Sequence, residues 1–357
     1  MSKLKVAIAC QGGGSQTAFT AGVLKSFFER EVQKDWTITS FSGTSGGAVC
    51  SILAWYGMLR AAQGDKTPIS NRLAEFWSEL SAQHPEELTL ENWTSSYLRM
   101  VERGMFPHFE MSPAGLFCQT MFAILQSFLP RHVFTDLRAM LEKHIDFKEL
   151  PQLIREDSPL LVVGAADVLS GEMKKFYSQH GEICVEAILA SAAVPNLFPA
   201  VQIGDKFYWD GLFSDNPPIQ ELLRPRFVGP EHVPDEVWVI QINPSHTKTV
   251  PTTPAQIVDR RNQMIGNVSF QHSLQLAEMI NMILSVGGFT DEVWETVMKM
   301  PKRGPIKIRI IQMSDELMES LDYVSKLSRA PEHIARLLQE GEQQGAKFLD
   351  GLANSAA

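Results

Sequence analysis

Three observations predict an α/β fold with a mostly parallel central sheet. The chain opens with a strand, a glycine loop, a helix, a second strand, a tight turn and a second helix, which is the start of a βαβ arrangement. Further short apolar runs recur downstream with helical stretches between them. The composition, 44% hydrophobic and 20% charged over 357 residues, is that of an ordinary globular chain. This length holds one large α/β domain or two smaller ones. No composition shift divides the chain, so residues 5–245 are expected to form one domain. Residues 246–357 are expected to be a helical and strand extension packed on it.

The elements follow in order. Residues 6–10 are apolar and strand-like, and Gln11-Gly12-Gly13-Gly14 is a glycine loop. Residues 17–28 have helical spacing, with Phe19, Val23, Leu24, Phe27 and Phe28 on the apolar side. Residues 36–41 are rich in β-branched and aromatic types and read as a strand. Residues 48–55 read as a buried helix. Strands are also expected at 160–165, 207–209, 237–242 and 306–311, and helices near 184–189 and 256–284. Residues 81–131 differ. They carry Trp93, Tyr97, Met100, Met105, Phe106, Phe109, Met111 and other large apolar residues without a strand pattern, and read as a helical insertion. Residues 315–349 are charged and helix-forming, with a break at Ala330-Pro331.

Charge and motif content exclude several classes. The net charge of −9 argues against nucleic acid as the main partner, because phosphate binding needs a basic face. Peripheral contact with a membrane through a local patch stays open. Lys299, Lys302, Arg303, Lys307 and Arg309 form such a patch, though a solvated strand edge protected by lysine suits them better. No run is long enough to span a membrane, and residues 6–10 are too short for a signal-peptide core. Cys10, Cys50, Cys118 and Cys184 show no paired spacing and no ligand motif, which suits reduced thiols in a cytoplasmic protein. Neither a metal nor a cofactor is expected.

Two loops carry candidate chemistry. Gly43-Thr44-Ser45-Gly46-Gly47 reads Gly-x-Ser-x-Gly between a strand and a helix. A turn this tight needs glycines, exposes the Ser45 hydroxyl and aims a helix N-terminus at it. Without chemistry, the same residues are a turn with a helix cap. Gly12, Gly13 and Gly14 can point successive N–H groups into one space, a nest for a phosphate or for the oxyanion of an acyl intermediate. A dinucleotide fingerprint is broken by Thr17. A serine nucleophile needs a base. His232, His246, His272 and His333 follow late in the chain, but none sits in a distinctive loop. Asp210 does: it ends a strand-like run and begins Asp210-Gly211-Leu212-Phe213-Ser214-Asp215-Asn216-Pro217-Pro218. An aspartate before glycine is also a common turn residue.

Four stretches together resemble the patatin-like phospholipase family. They are Gly12-Gly13-Gly14 with residues 18–24, the Gly43–Gly47 elbow, residues 190–199 (Ala-Ser-Ala-Ala-Val-Pro-Asn-Leu-Phe-Pro), and Asp210-Gly211 with Asn216-Pro217-Pro218. The resemblance covers about residues 5–220. It implies a three-layer α/β/α fold and a Ser-Asp dyad without a catalytic histidine. Ser45 would be the nucleophile, Asp210 the base and the N–H groups of Gly12, Gly13 and Gly14 the oxyanion hole. The substrate it implies is a fatty acyl ester of a lipid or phospholipid. The family's usual basic residue and glycine after the loop are here Gln16 and Thr17, and the small residue after Asp-Gly is Leu212. The insertion, through Met105, Phe106, Phe109 and Met111, is expected to wall the acyl chain or to pack as core. The alternatives to an acyl hydrolase of this type are a non-catalytic lipid-binding or regulatory protein on the same fold, and a Ser-His-Asp esterase.

Overall fold

A computed structural model describes residues 3–103, 136–195, 197–299 and 303–356, together with 105, 115–116 and 119–121. Its centre is an eight-stranded sheet. The strands are β1 (Lys5–Cys10), β2 (Thr37–Gly43), β3 (Leu160–Asp167), β4 (Met173–Tyr177), β5 (Val201–Ile203), β6 (Lys206–Asp210), β7 (Glu236–Ile240) and β8 (Lys307–Ile311). Their order is β5-β6-β3-β2-β1-β7-β8, with β4 also paired to β3. Strands β3, β2, β1, β7 and β8 run parallel. Strands β4 and β6 run antiparallel to β3, and β5 antiparallel to β6. The strand order reverses at β1, with β2 on one side and β7 on the other. In an open α/β sheet the crevice beyond the carboxyl ends at such a switch point is where ligands bind. The glycine loop leaves β1 at that place.

The longer helices are α1 (Ala18–Glu29), α2 (Gly46–Ala62), α3 (Ile69–Leu80), α4 (Pro85–Glu102), α5 (Leu137–His144), α6 (Val185–Ser191), α7 (Pro254–Ser285), α8 (Asp315–Ser320) and α9 (Pro331–Ala356). They form layers on both faces of the sheet, and the side-chain alternation of β1 explains why. Val6, Ile8 and Cys10 face a core shared with Phe19 and Phe27 of α1, Ile52 and Trp55 of α2, Phe76 of α3 and Leu337 of α9. Ala7 and Ala9 face a second core with Val237, Val239, Ile219, Leu222 and Phe270 of α7. A parallel strand covered on both faces reads as a continuous apolar run, which is how residues 6–10 read. Each fully buried Phe or Leu contributes roughly 1.5–3 kcal/mol.

Local sequence fixes the element ends. Helix α7 starts at a capping box in which Gln256 N–H donates to Thr253 Oγ1 at 3.3 Å and Thr253 N–H to Gln256 Oε1 at 3.3 Å, with Pro254 in the first turn. Pro331 opens α9 instead of merely breaking a helix. Helix α4 is the longest described part of the expected insertion. It is tied to the chain near α9 by Glu91, whose Oε1 accepts from Arg329 N–H at 3.0 Å and Ser328 Oγ at 2.7 Å. Its Trp93 and Tyr97 rings stack, and Trp93 is 67% exposed. Strands β4 and β5 were not expected from sequence. Among the described residues no helix is long and apolar enough to cross a membrane.

Candidate active site

Ser45 sits between the end of β2 and the start of α2 with φ 55° and ψ −131°. A non-glycine residue there is strained by about 1–3 kcal/mol and persists only where its surroundings hold it. They do so on both sides. Ser45 N–H donates to Ser191 Oγ at 3.0 Å, and Ser191 Oγ donates to the Gly164 carbonyl at 2.6 Å. Thr44 Oγ1 donates to the Asp215 carbonyl at 2.6 Å. Ser191 lies in the 190–199 stretch, so that stretch supports the back of the elbow.

The topology brings Asp210 to the same place. Strand β2 pairs with the first half of β3, ending at Gly43 opposite Val163. Strand β4 lines the other edge of β3 from Val162 to Ala166. Strand β6, which pairs Asp210 with Ala165, must therefore continue the edge that β2 leaves. Asp210 is 1% exposed, and its N–H donates to the Ala193 carbonyl at 2.9 Å. Its Oδ1 accepts the Leu212 N–H at 2.7 Å, while Oδ2 is buried without a hydrogen-bond partner. Burial pushes the carboxyl up to about 7, against the Leu212 N–H and the nearby Ser45 hydroxyl, which pull it down. Ser45 is thus close enough to influence Asp210 but completes no hydrogen bond to Oδ2 in this conformation.

The glycine loop lies against the elbow. A Cβ on Gly12 would come within 2.8 Å of Ser45 Cβ, and Gly14 has φ +60°. The loop differs from the sequence reading in one respect. Gly12 N–H donates to Asn216 Oδ1 at 2.6 Å, so it is not open to an oxyanion. Gly13 and Gly14 N–H have no hydrogen-bond partner among the described residues.

Sequence reasoning missed the residues that set this loop. Gln11 is fully buried; its Nε2 donates to Asn267 Oδ1 at 2.8 Å and to the Asn216 carbonyl at 3.1 Å. Its Oε1 accepts from Ile242 N–H at 2.9 Å and Asn243 N–H at 2.7 Å. The signal available was a polar residue directly after five apolar ones, facing a glycine loop. Gln16 is also buried, and its Nε2 donates to Ser325 Oγ at 2.9 Å. The family's usual basic position is therefore occupied here by a residue that fastens the loop to the C-terminal part of the chain.

Other expected residues lie elsewhere. Met105 is 65% exposed; Phe106, Phe109 and Met111 lie outside the described residues. His232 Nε2 pairs with the Ser158 carbonyl at 3.1 Å and His333 Nε2 with the Ser325 carbonyl at 3.0 Å. His246 and His272 are exposed, and none of the four histidines hydrogen-bonds Ser45 or Asp210. In the basic stretch, Arg309 binds both oxygens of Glu236 at 2.6 and 2.9 Å, and Arg303 donates to the Pro234 carbonyl. Lys302 lies outside the described residues. With β8 at the sheet edge, this is a strand edge held by the Arg309–Glu236 ion pair and carrying Lys307 at its start. A cleft of about 890 Å³ opens between α7 and residues 312–323, and none of Ser45, Asp210 or the loop glycines lines it.

The sequence profile described as patatin-like phospholipase matches residues 8–223, more than half of the chain. That span holds the glycine loop, the elbow and the Asp210 loop; the chain belongs to the patatin-like phospholipase family. A search of curated protein sequences finds no match to it. Among solved structures it is similar to VipD from Legionella pneumophila, with 16% identity and a TM-score of 0.42 over 98% of this chain and 67% of that one. It is similar to human GIVD cytosolic phospholipase A2 in complex with methyl γ-linolenyl fluorophosphonate, with 12% identity and a TM-score of 0.42. That match covers 98% of this chain and 58% of the human one. The heterodimeric ExoU–SpcU complex of the Pseudomonas aeruginosa type III secretion system gives 13% identity and a TM-score of 0.32, over 98% and 51%. The chain thus spans about half to two thirds of the length of these proteins, and likenesses this distant carry no residue-level correspondence.

Proposed function

We propose that the chain is a serine acyl hydrolase of the phospholipase A or lysophospholipase type, cleaving fatty acyl esters of lipids through a Ser45–Asp210 dyad. The observation that carries this reading is the buried Asp210 Oδ2, without a partner, beside a serine held at φ 55°. Asp210 Oδ2 takes the Ser45 proton as Oγ attacks the ester carbonyl. The Gly13 and Gly14 N–H groups stabilise the tetrahedral oxyanion, one such donor being worth about 3 kcal/mol. The intermediate collapses, the leaving alcohol takes the proton from Asp210, and an acyl-enzyme remains. Water, deprotonated by Asp210, then releases the fatty acid. An ordinary aspartate is a weak base; a carboxyl raised to about 7 is matched to proton transfer near neutral pH.

Met105, Phe106, Phe109 and Met111, on the segment that follows α4, form the wall for the acyl chain in this reading. Flexible methionines suit varied chains, and the exposure of Met105 speaks against core packing there. The enzyme meets its substrate at a membrane surface by peripheral contact. The test is turnover of p-nitrophenyl acyl esters beside mass spectrometry of fatty acids released from a membrane lipid extract. Wild type should release both, and Ser45→Ala should lose at least ~10³-fold. Equal turnover by Ser45→Ala contradicts the reading.

A further inference from the structure

Strand β4, unexpected from sequence, pairs Lys175 with Gly164 of β3. Gly164 lies between Val163, opposite Gly43 at the end of the nucleophile strand, and Ala165, opposite Asp210. A Cβ there would come within 3.0 Å of Thr44 Oγ1, 3.1 Å of the Asp215 carbonyl and 3.1 Å of Pro218 Cγ. The loop after Asp210 therefore crosses directly over Gly164, and the elbow rests against it. Beside this crossing, Lys175 Nζ stands 2.5 Å from Asp215 Oδ2 and 3.4 Å from Glu221 Oε1. All three side chains are nearly covered, at 12%, 8% and 10% exposure.

We propose that Lys175 is a positioning residue for Ser45 and Asp210, holding through Asp215 the loop that joins the base to the elbow. The proposal rests on the dyad reading above. Two buried carboxylates share one ammonium, so Lys175 is what permits Asp215 to stay under cover. The Asp215 carbonyl receives the Thr44 hydroxyl, next to Ser45, and Asn216 Oδ1 receives the Gly12 N–H. Residues 215 and 216 thus hold the elbow and the glycine loop at once. Without the ammonium, Asp215 turns toward water and takes both anchors with it, while Asp210 stays on β6. Lys174, the next residue, pairs with Glu182 at 2.6 Å on a more exposed site and has no such link.

The test compares Lys175→Met, Lys175→Arg and Thr44→Val with wild type and Ser45→Ala on one p-nitrophenyl ester, with melting curves for each. Leu337→Ala, in the core between α1 and α9, serves as a variant destabilised far from the site. Lys175→Met should lower kcat about 10- to 100-fold with KM within about twofold, the mark of misplacement rather than lost binding. Thr44→Val, which cuts the link from its other end, should show the same split. Lys175→Arg should keep most of kcat, and Leu337→Ala should keep kcat at temperatures where it is folded. A wild-type kcat in Lys175→Met, or a loss that Leu337→Ala reproduces at equal melting temperature, overturns the proposal. If Lys175→Met does not fold, Thr44→Val decides, and a wild-type kcat there overturns it. Turnover that survives Ser45→Ala sinks the dyad reading and this assignment together. An inactive Ser45→Ala beside a fully active Lys175→Met removes only the assignment.

Discussion

At Asp210, burial raises the carboxyl to about 7 in the fold, against the 3.8 of an ordinary aspartate. A pKa raised on folding means that the folded state holds the proton more tightly. The associated stability is present in full below about pH 4 and is lost as pH rises through about 7. We therefore expect Asp210→Asn to melt higher than wild type at pH 8, and the difference to shrink toward pH 5. Activity should move oppositely, with wild-type kcat/KM rising through an ionisation near 7 as the base loses its proton. Melting curves at both pH values and a pH–rate profile check this; an Asp210→Asn protein no more stable than wild type at pH 8 contradicts it. Ser45 and Asp210 stood out in the sequence because glycines and a strand end flank each of them. Gln11, Asn216, Asn243 and Asn267 form the clasp under the glycine loop, yet only Gln11 and Asn216 lay in recognisable stretches. The others are single amides whose partners lie up to 256 residues away, and no local pattern announces that.

Among the elements, the parallel strands β1, β3 and β7 were legible because burial on both faces leaves a run of apolar residues. Strand β4, reading Met-Lys-Lys-Phe-Tyr, sets one core phenylalanine beside two lysines paired with carboxylates, so it leaves no apolar run to read. Strand β5 has three residues and no run to read. Helix α4 behaves differently from a core element: Trp93, Met100 and Met105 near it are 67%, 41% and 65% exposed. Truncating Met105 to Ala should therefore change stability by less than ~0.5 kcal/mol, within the range of surface substitutions. If it borders the acyl chain, the same change should shift chain-length preference on a series of p-nitrophenyl esters. An unchanged profile would remove Met105 from the substrate path.

For the molecule as a whole, the family match ends at residue 223, but the fold does not. Strand β8 extends the sheet beyond β7, α7 supplies Asn267 to Gln11 and Phe270 to the second core, and α9 covers α1. We expect a chain ending at residue 245 to lack cooperative unfolding by circular dichroism. Leu337→Ala in the full chain should cost roughly 2–5 kcal/mol with an unchanged KM. A truncated chain that unfolds cooperatively would show that the C-terminal part is dispensable for the fold.

The central claim is a serine nucleophile served by an aspartate alone, and active-site labelling tests it most directly. A fluorophosphonate probe, mapped by mass spectrometry on the intact protein, should give one adduct, on Ser45. The adduct should vanish in Ser45→Ala and form far more slowly in Asp210→Asn. It should form at close to the wild-type rate after replacement of His232, His246, His272 or His333 by Ala. Labelling that persists in Ser45→Ala, or that fails in one histidine variant as completely as in Asp210→Asn, contradicts it.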